Sequence, residues 1–240
     1  MTRLTSCPDA ESVATRAAAH VRRAIEQARA ERGVAHVALS GGGTPELTYR
    51  LLGKDPASLA ATEVWFADER CVGPEDPDSN YRMANETLLG PAAIPATLVH
   101  RMRGELGPGT GAESYESELR ERLGGDPGEP VTLDLVLLGI GPDGHIASLF
   151  PGSATLAEER ALCVGVEDSP KPPPERITLT LPVLRAARGC LLVAVGASKS
   201  DALAAMLAEP SASVPASMLR RERLTVITDD AAAPPAPNRG

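Results

Sequence analysis

A chain of 240 residues with a formal charge of −8 is long enough for one substantial α/β domain and short for two. The acidic balance argues against nucleic acid as a partner, because binding a phosphate backbone relies on a basic surface; any anionic ligand must be held by local donors. No apolar run approaches the roughly 20 residues needed to cross a bilayer, residues 1–9 carry no apolar stretch of the signal-peptide kind, and Cys7, Cys71, Cys163 and Cys190 form neither a CxxC nor a cluster with histidine at metal-ligand spacing.

Residues 9–32 read as a helix. Asp9 is placed to cap it, Val13, Ala17, Val21, Ile25 and Ala28 fall at three-to-four spacing, and Gly33 ends it. Residues 34–39 form a short Val-rich run suited to a buried strand. Further strands are expected at 63–67, 98–102, 133–138, 161–166, 176–181, 191–195 and 224–228. Helices are expected at 45–52, 80–89, 111–123, 181–187, 199–207 and 215–219. This alternation implies an α/β fold with a mostly parallel sheet covered by helices on both faces. Residues 124–130 and 168–174, the latter carrying SPKPPP, read as loops. The tail 231–240 lacks the apolar content to pack and is expected to be disordered, leaving one domain over 1–230. The protein is expected to be reduced and cytoplasmic, without metal or cofactor, with Cys163 and Cys190 acting as buried hydrophobes.

Open α/β sheets bind ligands beyond the carboxyl ends of their strands, and four loops there stand out. After the first long apolar strand comes Ser40-Gly41-Gly42-Gly43-Thr44-Pro45, with Thr44 suited to an N-cap and Pro45 to the first helical position. Glycines that let backbone amides approach a ligand, feeding a helix N-terminus, make a phosphate site by geometry and dipole. The lysine of a P-loop is missing. Second is Asp68-Glu69-Arg70, which offers a base, an orienting carboxylate and an oxyanion donor, although a charged turn is more often just solvated. The following Asp78-Ser79-Asn80-Tyr81 reads as a helix cap.

The third loop, Gly139-Ile140-Gly141-Pro142-Asp143-Gly144-His145, formally matches GxGxxG. A dinucleotide reading fails because Pro142 sits inside the turn and Phe150-Pro151-Gly152 interrupts the crossover helix. Read as chemistry, the loop sets His145, a base near neutrality, two residues from the carboxylate of Asp143. His20, His36 and His100 lie in a helix or in or beside strands and read as structural. In the fourth loop, Gly196-Ala197-Ser198-Lys199, a lysine near a helix N-terminus opposes the macrodipole unless an anion is bound. The chain has three lysines, and Lys54 and Lys171 lie in loops. Arg176 is a second candidate cation, or else an exposed strand-start arginine.

LSGGGTP (39–45), FADERCVGPEDPDSNYRM (66–83), LLGIGPDGHIASLFPG (137–152), RITLTLPVL (176–184) and GASKSDAL (196–203) together span about two-thirds of the chain. In order and spacing they resemble the 6-phosphogluconolactonase branch of the glucosamine-6-phosphate isomerase/6-phosphogluconolactonase family. The resemblance implies a three-layer α/β/α Rossmann-like fold and hydrolysis of a phosphorylated sugar lactone, 6-phosphoglucono-1,5-lactone, in the oxidative pentose phosphate pathway. It implies phosphate contacts from Ser40, Gly41, Gly42, Gly43, Thr44, Arg176 and Lys199, and His145 as the base that activates water. Asp143 or Asp68 would orient the imidazole, with Arg70 or a glycine-loop amide as oxyanion donor. The deaminase branch carries a glutamate where this chain has Phe150, and Ile146 stands where lactonases often have threonine. A sugar-phosphate sensor is the non-enzymatic alternative, but the chain has no appended helix-turn-helix segment. The oligomeric state is not fixed by the sequence; a monomer is favoured.

Overall fold

The computed structural model describes residues 2–125 and 128–234. Its central sheet has six strands: β1 (Arg3–Cys7), β2 (Ala35–Leu39), β3 (Thr62–Phe66), β5 (Leu135–Leu138), β8 (Cys190–Ala194) and β9 (Leu224–Asp229). They lie in the order β1-β9-β8-β5-β2-β3, every pairing parallel. The chain runs outward from β2 to β3, then returns to the other side of β2 to lay down β5, β8 and β9. The direction of winding therefore reverses between β2 and β5, where the loops of an open sheet diverge and leave a crevice.

Helix α1 (Ala10–Arg32) begins where the sequence indicates. Asp9 accepts a hydrogen bond from the Ser12 amide at 2.8 Å, and Gly33 closes the helix in the left-handed region. Its buried stripe includes Val13, Ala17, Val21, Ile25 and Ala28 and packs across β1, β2, β8 and β9. Helix α2 (Gly43–Leu52) lies against α1, and α3 (Asn80–Ala84) continues into a π-helical turn, Asn85–Leu89. The remaining helices are α4 (Pro108–Leu123), α5 (Leu181–Ala186) and α6 (Ser200–Met206). This is the expected α/β class, a mostly parallel sheet flanked by helices.

The expected strands at 161–166 and 176–181 exist but do not join that sheet. As β6 (Cys163–Val166) and β7 (Arg176–Leu179), they form a separate antiparallel sheet with β4 (Asp68–Arg70), in the order β4-β7-β6, covered by α4. Ala67 is the joint: its amide donates to Leu39 of the main sheet, while its carbonyl accepts from Leu179 of the small one. The expected strand at 98–102 is reduced to one bridge, Val99 to Val64, after a 3-10 turn at Ala96–Leu98. The expected helix at 215–219 is likewise a 3-10 turn, Pro215–Met218. Strand β1 had no expectation; it is an edge strand that buries Cys7 while Leu4 stays exposed, so it carries little apolar signal. At the start of the segment expected as a tail, Ala232 is fully buried and its amide donates to Asp229. Residues 235–240 lie outside the described residues, as do 126–127 of the expected loop at 124–130.

All four cysteines are free thiols, and Cys163 and Cys190 are buried as expected. His100 stacks on Trp65 and is held between Glu118 at 2.7 Å and Glu63 at 3.1 Å, a structural role that ties α4 to β3. Among the described residues no helix is long and apolar enough to cross a membrane, and no group of three or more His, Cys, Asp or Glu could hold a metal ion.

Candidate active site

A cleft of about 520 Å³ opens where β2 and β5 diverge. The loops after β2, β5 and β8 wall it on one side, and β4, β7 and the 171–172 segment on the other. Of the residues singled out from the sequence, Ser40 to Thr44, Asp68, Arg70, His145, Arg176 and Lys199 line it, while Glu69 and Asp143 do not. Asp143 reaches the cleft through its partner, since its Oδ1 lies 2.5 Å from His145 Nδ1.

The glycine loop enters the cleft on a firmly held backbone. The Tyr49 hydroxyl accepts from the Ser40 amide at 3.0 Å and donates to the Ser40 carbonyl at 2.8 Å, fixing the end of β2. Tyr115 treats Phe66 at the end of β3 in the same way. Helix α2 starts earlier than the sequence suggested, with Gly42 in the N-cap position at φ +108°, so Thr44 and Pro45 lie inside the first turn. A side chain at Gly41 is excluded, because its Cβ would stand 1.9 Å from Asn80 Oδ1. The Ser40 hydroxyl is buried with no hydrogen-bond partner among the described residues, as is Arg70 Nε. Both residues line the cleft.

Strand β4 explains the second motif. Alternation along a strand sends Asp68 and Arg70 to one face and Glu69 to the other. Asp68 is buried and accepts from Ser148 Oγ at 2.8 Å and from Asn80 Nδ2 at 3.3 Å; no hydrogen bond joins it to His145. Of the two carboxylates left open by the sequence, Asp143 is the one within hydrogen-bond distance of the imidazole. Glu69 instead accepts from the backbone amides of Arg70, Asn80 and Tyr81 and from the Ser79 hydroxyl, while Ser79 caps α3 as expected.

Arg70 stands directly opposite Arg176 across the β4–β7 ladder. Facing like charges destabilise a sheet unless something negative lies between or beside them. Asp68, Asp78 and Glu69 offset part of the repulsion at Arg176. Arg176 is buried rather than exposed, and burial pulls its pKa below the ordinary value. Its Nε donates to the Pro173 carbonyl at 3.1 Å and its Nη2 to those of Lys171 and Pro172 at 3.2 Å each. Arg176 therefore organises the 171–173 loop as well as lining the cleft.

Residues 139–145 form a tight turn, with Gly144 donating to Gly141 and Gly141 to the His145 carbonyl. Gly141 must lack a side chain, since a Cβ there would stand 2.0 Å from His145 Nδ1. The imidazole packs on Phe150, ring centroids 4.7 Å apart. Burial lowers the His145 pKa and nearby Lys171 lowers it further, against the upward pull of Asp143 and Asp68; the net shift is downward. For Asp143, burial pushes upward, but the hydrogen bond from His145 and the charges of His145 and Lys171 outweigh it and hold the carboxyl low. The couple therefore rests as neutral imidazole and carboxylate near neutrality. Nδ1–H donated to Asp143 leaves Nε2 with its lone pair.

Lys171, read from the sequence as a loop residue, is part of this cleft, its Nζ 3.2 Å from His145 Nδ1. The scarcity of lysine that drew attention to Lys199 applied equally to Lys171, but the proline-rich run masked it. Lys199 ends a 3-10 turn, Ala197–Lys199, just before α6. Burial lowers its pKa, and the neighbouring Lys171 adds to that.

The sequence matches the family described as glucosamine-6-phosphate isomerases/6-phosphogluconolactonase over residues 8–228. It is 38% identical over 236 residues to the 6-phosphogluconolactonase of Mycobacterium tuberculosis, covering 94% of this chain and 95% of that protein. It is 39% identical over 203 residues to the human 6-phosphogluconolactonase, covering 81% and 78% of the two chains. The structure of 6-phosphogluconolactonase from Trypanosoma cruzi superimposes with a TM-score of 0.87 at 29% identity, over 97% of this chain and 96% of that one. The chain belongs to the glucosamine-6-phosphate isomerase/6-phosphogluconolactonase family.

Proposed function

We propose that the cleft hydrolyses 6-phosphoglucono-1,5-lactone to 6-phosphogluconate, with His145 as general base. The observation that carries this reading is the His145–Asp143 couple, which presents a neutral imidazole to a cleft that also contains the glycine loop and the cations Arg70, Arg176 and Lys199. The phosphate docks on the amides at the start of α2, the Ser40 and Thr44 hydroxyls, Arg176 and Lys199. Nε2 of His145 takes a proton from water, and the resulting hydroxide attacks C1. Arg70, whose Nε has no hydrogen-bond partner among the described residues, stabilises the oxyanion. Collapse breaks the C1–ring-oxygen bond, and the leaving oxygen takes the proton back from Nε2. The new carboxylic acid then loses its proton to solvent.

The same residues support the lactone reading over amino-sugar deamination. Deamination requires further proton transfers, and the ring beside His145 is Phe150, which has no proton to exchange. The test follows lactone disappearance with substrate generated in situ, corrected for spontaneous hydrolysis, beside an assay for ammonia release from glucosamine 6-phosphate. Accelerated lactone loss without ammonia is expected; ammonia release or no acceleration removes the reading.

For Lys199→Ala the expected result is a rise in the Kd for 6-phosphogluconate of about 10–100-fold, the worth of one charge-assisted hydrogen bond. An unchanged affinity in calorimetric titration takes Lys199 out of the phosphate site.

A further inference from the structure

The backbone of Lys171 is held unusually tightly for a loop. Ser169 Oγ donates to its carbonyl at 3.0 Å and accepts from its amide at 3.2 Å, and Arg176 Nη2 donates to the same carbonyl. Ser169 closes the loop by donating its amide to Pro174. A side chain of four methylenes on a fixed root reaches a limited volume, and here its ammonium comes to rest 3.6 Å from Asp143 Oδ1 and 3.2 Å from His145 Nδ1.

Nδ1 cannot both donate to Asp143 and accept from Lys171. The 2.5 Å approach of Asp143 against 3.2 Å for Lys171 decides for the carboxylate. If the proton were on Nε2 instead, the Nδ1 lone pair would press against an ionised carboxylate, and the base would have no free nitrogen toward the cleft. Lys171 is then an ion-pair partner of Asp143, placed on the side of the ring away from Nε2. We propose that Lys171 is a positioning residue of the catalytic couple: its ammonium shares Asp143 with His145, holding the carboxylate in place against Nδ1–H and favouring onward transfer of the captured proton to the departing ring oxygen.

The two effects have one origin. A carboxylate shared with an ammonium still orients the ring but supports the imidazolium less strongly than an unshared one. Once His145 has taken a proton from water, the positive charge beside it favours release of that proton to the leaving oxygen. The groups facing His145 are Asp143 on its own loop, Lys171 on the 168–174 loop and Asp68 on β4, with Arg70, Arg176 and Lys199 across the cleft and Phe150 against the ring. Of the cations, Lys171 is the one within hydrogen-bond range of the ring among the described residues.

This inference rests on His145 being the base, so its test is run beside wild type and His145→Ala. Absence of lactone turnover in wild type, or its survival in His145→Ala, overturns the base reading and this inference with it. Given a working base, Lys171→Met and Lys171→Gln are expected to lower kcat about 10–100-fold through loss of alignment. They should move the acid limb of the kcat/KM–pH profile to higher pH and leave the Kd for 6-phosphogluconate within about threefold. Lys171→Arg, which keeps the charge, is expected to hold the limb near its wild-type position. An unmoved acid limb in both neutral variants overturns the proposal. A Kd raised tenfold or more also overturns it and makes Lys171 a substrate ligand.

Discussion

Replacing His145 by alanine is expected to lower kcat/KM for the lactone by about 10²–10⁴-fold, the usual worth of a positioned general base, while the Kd for 6-phosphogluconate changes little. The separation follows from the proposed arrangement: the residues proposed to hold the phosphate lie on the α2 turn, on β7 and in the loop after β8, apart from the imidazole. In wild type, the acid limb of the kcat/KM–pH profile should fall below 6.5, the ordinary histidine value. Burial and Lys171 make the imidazole harder to protonate, so the base survives to lower pH than it would in water. The sign is fixed, because activity requires the unprotonated ring and is lost as pH falls through its pKa. Turnover by His145→Ala near the wild-type rate, or an acid limb above 6.5, would send the base assignment elsewhere in the cleft. Asp68 would be the next group to test.

How much of this was legible in the residues depended on whether the signal was local. The glycine loop and the Asp143–His145 turn each carry their chemistry within seven residues, and their place after strands of a parallel sheet locates them at one crevice. The small antiparallel sheet was not legible as such. The apolar pattern marks 161–166 and 176–181 as strands but says nothing about which strand each one pairs with. Their third partner, Asp68–Arg70, is three charged residues with no apolar pattern. Once that pairing exists, it decides the site: the strand's alternation separates Asp68 and Arg70 from Glu69, and its register sets Arg70 against Arg176. Lys171 and Tyr49 were hidden for the same reason. Their roles depend on contacts that no short window displays, with His145 twenty-six residues from Lys171 and Ser40 nine from Tyr49.

Glu69 is where the largest loss of stability is expected. The residue is 2% exposed, and its two carboxylate oxygens accept from three backbone amides and one hydroxyl. Burial raises its pKa and those four hydrogen bonds pull the other way. All four neighbours donate, so the ionised carboxylate is the form the geometry accommodates. Glu69→Ala removes the acceptor and leaves the donors buried, each costing about 1–3 kcal/mol where water cannot replace it. With partial relief by water, a net loss of about 3–5 kcal/mol is expected, a large share of the 5–15 kcal/mol typical of a folded domain. At roughly 2–4 °C per kcal/mol for a chain of this size, the thermal midpoint should drop by about 10 °C. Glu69→Gln should cost less than the alanine variant, because its amide oxygen still accepts from the Arg70 and Asn80 amides and the Ser79 hydroxyl can turn to accept from the new NH₂, leaving the Tyr81 amide as the one unmet donor of the four. The activity of Glu69→Ala below its melting point is also expected to fall, since the same carboxylate holds the β4 backbone from which Asp68 and Arg70 enter the cleft and ties it to Asn80, whose side chain touches both Asp68 and the Gly41 turn. A Glu69→Ala protein melting within a degree or two of wild type would mean that water satisfies the start of α3. The rigidity of β4 would then have to come from its ladder with β7 alone.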